Sequence, residues 1–238
     1  MAKPNKGSFD PILAQSLLRS GLQDLKIEIN EGQINQLIDY LSLMAKWNPV
    51  YNLTAIRETD KMVSHHLLDS LAILPILQGW LDGQTTPNIL DVGSGGGLPG
   101  IVLAIMQPQW HLTLIDPVHK KTAFLQQAGA QLALTNLEVI TGKVEDLPVT
   151  KTYDVITSRA FASVADFIQL SQSVLAPNGF FAAMKGTLPN EEIAELHNKI
   201  DPNWQTVISE IEVPLLQAER HLVKITRQNL NRGEGGLR

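Results

Sequence analysis

A chain of 238 residues with 44% hydrophobic and 18% charged side chains can build an ordinary globular core, as one domain or one domain with an added segment. Its 24 acidic against 19 basic residues, a net of -5, exclude a protein that coats nucleic acid through bulk charge but leave room for a local basic patch. With no cysteine there is no disulfide, thiolate metal site or cysteine nucleophile, and no secretory signal or bilayer-length apolar run is visible, so a cytoplasmic location is expected.

Residues 1–7 are expected to be flexible, and residues 8–87 read as a helical segment. Asp10-Pro11 is a cap and first-turn pair ahead of Ile12, Leu13, Leu17 and Leu18. Asn30 with Gln33 opens a second helix, whose apolar face is Ile34, Leu37, Ile38, Leu41 and Met44. Pro49 is expected to stop it, and Asn48-Pro49 to turn. Asp60 is expected to cap a third helix through Val63, Leu67 and Leu71, interrupted by Pro75. The turn-rich stretch from Gly79 to Pro87 is placed as the boundary.

From Asn88 onward strands and helices alternate. Strands are read at Ile89–Val92, His111–Ile115, Leu137–Thr141, Tyr153–Thr157, Phe180–Met184, near Val207–Val213, and at His221–Thr226. Ser163 with Asp166 caps a helix, Pro177-Asn178-Gly179 is read as a turn, and Asn190 is read as a further cap. The last two strands are close enough in sequence to pair antiparallel. The expected fold is α/β: a doubly wound, mostly parallel seven-stranded sheet over residues 88–227, with an antiparallel C-terminal strand pair and an N-terminal helical segment packing on the core. Residues 228–238 read as a flexible tail.

The stretch Ile89 to Gly100 organises the rest: an apolar strand ends near Asp91, glycines follow, and Pro99 opens an apolar helix. Ligands of such sheets bind where strand carboxyl ends splay, and Asp91, Asp116, Glu145 and Ser158-Arg159 all fall at such ends. Gly95 to Gly100 formally matches a dinucleotide fingerprint. However, the pyrophosphate of NAD disfavours a carboxylate at that place. S-adenosylmethionine (SAM), which carries a sulfonium and an ammonium and no phosphate, suits Asp91 better. Asp116 would accept ribose hydroxyls from either cofactor, and Glu145 could flank the adenine.

Asp91-Val92-Gly93-Ser94-Gly95-Gly96-Gly97-Leu98-Pro99-Gly100 resembles motif I of the class I SAM-dependent methyltransferases, which are Rossmann-like. The wider set is Trp47 to Thr54, His66-Leu67-Leu68-Asp69-Ser70, Ser158 to Ala162 and Met184-Lys185-Gly186. From about Gln33 to about Arg227 it resembles the bacterial ribosomal small-subunit methyltransferase G family, also called glucose-inhibited division protein B. The resemblance implies SAM-dependent methylation of N7 of one guanosine in 16S ribosomal RNA, on the small subunit. It places cofactor contacts on Gly93, Leu98, Val144, Glu145 and Arg159, with Asp116 at the ribose and Asp91 and Gly95 in the loop. Gly96 stands where a proline is common, a change expected to alter loop stiffness and not ligand identity.

Guanine N7 holds an in-plane lone pair, so no general base is needed and the task is alignment. Amine methylation would call for an Asn/Asp-Pro-Pro-aromatic loop after the fourth strand, where Ser158-Arg159-Ala160-Phe161 stands instead. Methylation of a ribose or carboxylate is not eliminated. Arg159, Lys185 and Asn52 are expected as positioning residues, and Arg57, His66 and Lys185 as RNA contacts. For His66 the alternative is a structural histidine. Lys120, Lys121, Lys143, Arg220, Lys224 and Arg227 are candidates for an outer footprint. No metal site is expected, and a monomer is. Two rival readings stay open at this level: a SAM-dependent enzyme of a small molecule, and a SAM-holding ribosome-assembly factor without turnover.

Overall fold

The computed structural model describes residues 9–159, 161 and 163–227, so the expectations of flexible ends at 1–7 and 228–238 fall outside the described residues. Seven strands form one sheet in the order β3-β2-β1-β4-β5-β7-β6. They are β1 (Asn88–Val92), β2 (His111–Asp116), β3 (Leu137–Thr141), β4 (Tyr153–Ser158), β5 (Leu175–Lys185), β6 (Trp204–Glu210) and β7 (His221–Arg227). The first five run parallel, and β7 lies antiparallel between β5 and β6. Strand order reverses between β1 and β4, which opens a crevice at their carboxyl ends.

Consecutive strand residues face opposite layers, so a parallel sheet needs apolar side chains on both sides. Ile89 and Leu90 are both fully buried, yet they belong to different apolar clusters. One layer holds α1 (Pro11–Leu25), α2 (Glu31–Tyr51), the helical run from Thr59 to Leu71, α6 (Gly100–Met106) and α7 (His119–Gln131). The other holds α8 (Val164–Ser171) and α9 (Asn190–Lys199). Leu37, Leu41 and Leu67 of the helical segment share a cluster with Leu103, Phe124 and Ala182 of the strand-helix part. One continuous core therefore joins the two parts.

The run after α2 is α3 (Thr59–Met62), a π-helical turn at Val63–Leu68, and α4 (Asp69–Leu71), followed by α5 (Leu74–Trp80). Asp60 is not its cap. Glu58 stands at that position, its carbonyl accepting the Met62 N–H, while Thr59 Oγ1 accepts the Asp10 N–H and ties α1 to this run. Pro49 does not stop α2 either; the helix continues to Tyr51 and ends at Asn52 in the left-handed region, φ 50°. A proline this close to a helix end forfeits only one backbone bond. The Asn48 side chain then clamps the exit, donating to the Thr54 carbonyl and accepting the Thr54 N–H at 2.8 and 2.9 Å.

Two later expectations also change. Pro177-Asn178-Gly179 is not a turn but lies inside β5, where pairing jumps from Tyr153↔Leu175 to Val155↔Phe180. The bulge absorbs three extra residues, and within it the neighbouring β4 leaves no room for a side chain at Gly179. A Cβ there would stand 2.9 Å from the carbonyl oxygens of Tyr153 and Asp154. Asn190 is the first residue of α9 and not its cap; the Pro189 carbonyl accepts the Ile193 N–H and begins the helix. β6 also ends at Glu210, short of the expected Val213.

Candidate active site

The loop after β1 is built by backbone geometry that side chains resist. Gly93, Gly95 and Gly97 all have positive φ (68°, 58° and 95°). At Gly97 a Cβ would meet Ile101 and Leu125 at 2.5 and 2.7 Å, so the loop can approach α6 and α7 only as bare main chain. Tyr40 of α2, fully buried, donates its hydroxyl to the Gly96 carbonyl at 2.5 Å. Met44 stands 3.2 Å from where a Cβ on Gly96 would be. The position that departs from the usual proline is thus held from outside by α2.

Asp91 lies beneath this loop and not on a cavity wall. It is fully buried, and its Oδ2 accepts the Gly100 N–H at 3.0 Å at the start of α6. Its Oδ1 is buried without a partner. Burial pushes its carboxyl up to about 7, opposed by the Gly100 bond and by the charge of Arg159. The carboxyl singled out in the sequence therefore lies under the floor of the site and not on its wall.

Two cavities open side by side at the carboxyl edge of the sheet. The first, about 410 Å³, is floored by Val92, Gly93 and Asp116, and walled by Val144, Glu145 and Phe161. Asp116 is 2% exposed and is fixed by three donors: Gly95 N to Oδ2 at 3.0 Å, Val118 N to Oδ1 at 2.9 Å and Lys121 Nζ to Oδ2 at 3.4 Å. A carboxylate so held presents its remaining lone pairs to a hydroxyl-bearing ligand. At Gly93 a Cβ would meet nothing within 4 Å, so main chain is open to contact there. Glu145 is exposed, with Lys143 at 3.9 Å. An unpartnered buried carboxylate oxygen under the loop, a strand-end carboxylate, and apolar walls fit a cationic adenosyl ligand such as SAM.

The second cavity, about 390 Å³, lies over the ends of β4 and β5. Arg159 Nη1 donates to the His65 carbonyl at 2.9 Å and lies 3.4 Å from Asp69 Oδ2. Asp69 Oδ1 accepts Arg220 Nε at 2.8 Å. Lys185 is paired with Glu192 at 2.6 Å. His66 Nε2 is 3.0 Å from Thr54 Oγ1, its Nδ1 has no partner, and burial followed by the charge of Arg159 lowers its pKa to about 4.

The expected site residues thus separate into groups. Gly93, Asp116, Val144 and Glu145 meet at the first cavity, and His66, Arg159 and Lys185 at the second. Gly95 and Leu98 belong to the loop between them without lining either. Asn52 caps the end of α2 and Arg57 is exposed; neither lines a cavity. Of the outer-footprint candidates, Lys121, Lys143 and Arg220 stand at the cavities instead, and Lys224 packs over the rings of Trp80 and Phe180. Sequence reasoning assigned no role to Asp69, although its motif His66-Leu67-Leu68-Asp69-Ser70 marked the stretch. Among the described residues no group of three or more His, Asp or Glu side chains is placed to hold a metal, and no helix is long and apolar enough to cross a membrane.

A family profile described as rRNA small subunit methyltransferase G matches residues 33–223. A ribosomal RNA small subunit methyltransferase G of Laribacter hongkongensis is 50% identical over 208 residues, 87% of this chain and 96% of that protein. Another of the same name, from a Janthinobacterium species, is 48% identical over 225 residues, 92% and 98% of the two chains. A solved structure from Listeria monocytogenes, assigned to the class I SAM-dependent methyltransferases, superposes with a TM-score of 0.59 at 14% identity, over 92% of this chain and 79% of that one.

Proposed function

Since the chain belongs to the family of the rRNA small subunit methyltransferase G, we propose that it methylates N7 of a guanosine in 16S ribosomal RNA with SAM as donor. The observation that carries the reading is the pair of adjoining cavities: one with a strand-end carboxylate beside bare glycine backbone, the other lined by guanidinium groups. When bound, SAM supplies an electrophilic methyl carbon on a sulfonium.

The chain's own residues bind and align. Asp116 would accept the ribose hydroxyls, Gly93 would offer main chain, and Val144 and Phe161 would pack against the adenine with Glu145 at its edge. Asp91 would act through the field beneath the loop. N7 carries its lone pair in the plane of the ring, so a base that removes a proton has no task. Arg159, in the second cavity, would hold the acceptor in line, which is the large contribution open to such a site. In A-form RNA the major groove is too deep and narrow for a side chain to reach N7, so the target guanosine must be unpaired or splayed. His66 is neutral near pH 7, as befits a wall residue. Lys185 serves the acceptor side through its pair with Glu192. Under this reading the protein works as a monomer in the cytoplasm, where the ribosomal substrate is found.

The test is purified protein with tritiated SAM and either small subunits or naked 16S RNA. Label on a single guanine N7 is expected. No label on any guanine N7, with SAM bound, overturns the proposal.

A further inference from the structure

Lys185 and Glu192 cancel each other's charge, and the Glu192 carboxylate is further engaged by the Val164 N–H at 2.8 Å. Asp69, only 4% exposed, is one carboxylate shared by two guanidinium groups. With both lining histidines, His65 and His66, counted as uncharged, the second cavity therefore carries one uncompensated positive charge. The donors are also unevenly spent. Arg159 uses Nη1 on Asp69 and the His65 carbonyl, which leaves Nε and Nη2; Arg220 uses Nε and Nη1, which leaves Nη2. Both side chains are less than one-third exposed, at 28% and 22%, so the shared carboxylate holds them in place before any ligand arrives.

Resting on the RNA reading above, we propose that the second cavity is a phosphodiester subsite. In it Arg159 and Arg220, held by Asp69, grip one backbone phosphate of the splayed guanosine. A phosphodiester is a monoanion, which matches the single excess charge, and its two free oxygens suit two fixed guanidinium edges. Ala55, Ile56 and Met184 line the same cavity and give the attached nucleoside an apolar wall. Gripping the phosphate helps because extruding a nucleotide forfeits its stacking, which contacts to its own backbone can offset. Of the expected contacts, Arg159 takes part in this subsite, while Lys185 is paired with Glu192 and Arg220 supplies the second guanidinium.

The experiment compares wild type, Arg220→Ala and Arg220→Gln in the full chain. It measures KM for 16S RNA and for SAM separately, the affinity for demethylated cofactor by calorimetry, and RNA affinity across a salt series. The subsite predicts roughly tenfold weaker RNA binding in both variants, with the salt slope reduced by about 1 and cofactor affinity unchanged. An unchanged RNA KM and salt slope in either folded variant overturns it. So does a loss confined to KM for SAM, which would assign Arg220 to the donor's carboxylate instead. If wild type itself leaves RNA unlabelled and unbound, the RNA reading has failed and the subsite falls with it; labelled RNA with an indifferent Arg220 sinks the subsite alone.

Discussion

Asp91 and His66 are both buried, and burial drives each toward its neutral form, which gives the two opposite pH signatures. A carboxyl raised to about 7 keeps, in the folded state, a proton that the unfolded chain releases from about pH 4 upward. Its stabilising contribution is complete below that point and drains away as pH rises to 7. An imidazole lowered to about 4 refuses, in the folded state, a proton that the unfolded chain takes up below about pH 6.5. Its contribution is complete above that value and drains away as pH falls. Between roughly pH 4 and 6.5 the two slopes oppose each other, so this pair leaves wild-type stability nearly flat. His66→Gln should expose a decline toward pH 7, and Asp91→Asn a rise from pH 4 to 6.5, each on the order of a few kcal/mol across the window. Urea unfolding at a series of pH values checks this; equal slopes in both variants would count against it. Asp116 makes a separate prediction, because under the proposed function it accepts from the cofactor as well as from Gly95, Val118 and Lys121. Asp116→Asn should weaken binding of demethylated cofactor by about 10- to 100-fold, the worth of hydrogen bonds to a charged group, and also lower the thermal midpoint, because an amide nitrogen in place of either oxygen leaves a buried donor unmatched. Calorimetry reads the first and a melting curve the second.

Among the elements, the bulge of β5 is the one whose shape depends on a single small residue. Gly179→Ala would press a Cβ to 2.9 Å from two β4 carbonyl oxygens and from Leu175. An overpacking cost of about 1–3 kcal/mol is expected, seen as a lower melting temperature with cofactor affinity retained in the folded fraction. A midpoint equal to wild type would mean that β5 can open there. The same element shows where a sequence stops being informative. β1 to β3 were readable almost to the residue because Asp, Pro and Gly punctuate their ends. Ser163 was readable as a cap because its side chain accepts the Asp166 N–H only three residues away. Pro49 and Pro177 were misread because a proline reports a missing donor locally, while the tolerance of that loss depends on a distant neighbour. The Asp69–Arg159 and Asp69–Arg220 pairs span 90 and 151 positions. Nothing local to Asp69 announces either one, so the centre of the second cavity was invisible before the fold brought its parts together.

At the scale of the molecule, the helical segment and the strand-helix part share one apolar cluster, with Leu37, Leu41 and Leu67 against Leu103 and Phe124. Residues 88–227 alone would expose that face, and we expect them to be insoluble or to lack a cooperative thermal transition. A soluble fragment that melts cooperatively and binds demethylated cofactor would contradict this. The reach of α2 has a consequence for turnover. Its Tyr40 grips Gly96 in the glycine loop, and two turns later its Asn48 grips Thr54, which touches His66 in the second cavity. One helix is therefore hydrogen-bonded both to the glycine loop and to a wall of the second cavity, and under the proposed function we expect the holds on donor and acceptor to be coupled through it. If the spent donor alters the hold on RNA by some factor, RNA must alter the hold on the spent donor by that same factor. Tyr40→Phe, which unhooks the helix from the glycine loop, should bring both factors toward unity in step.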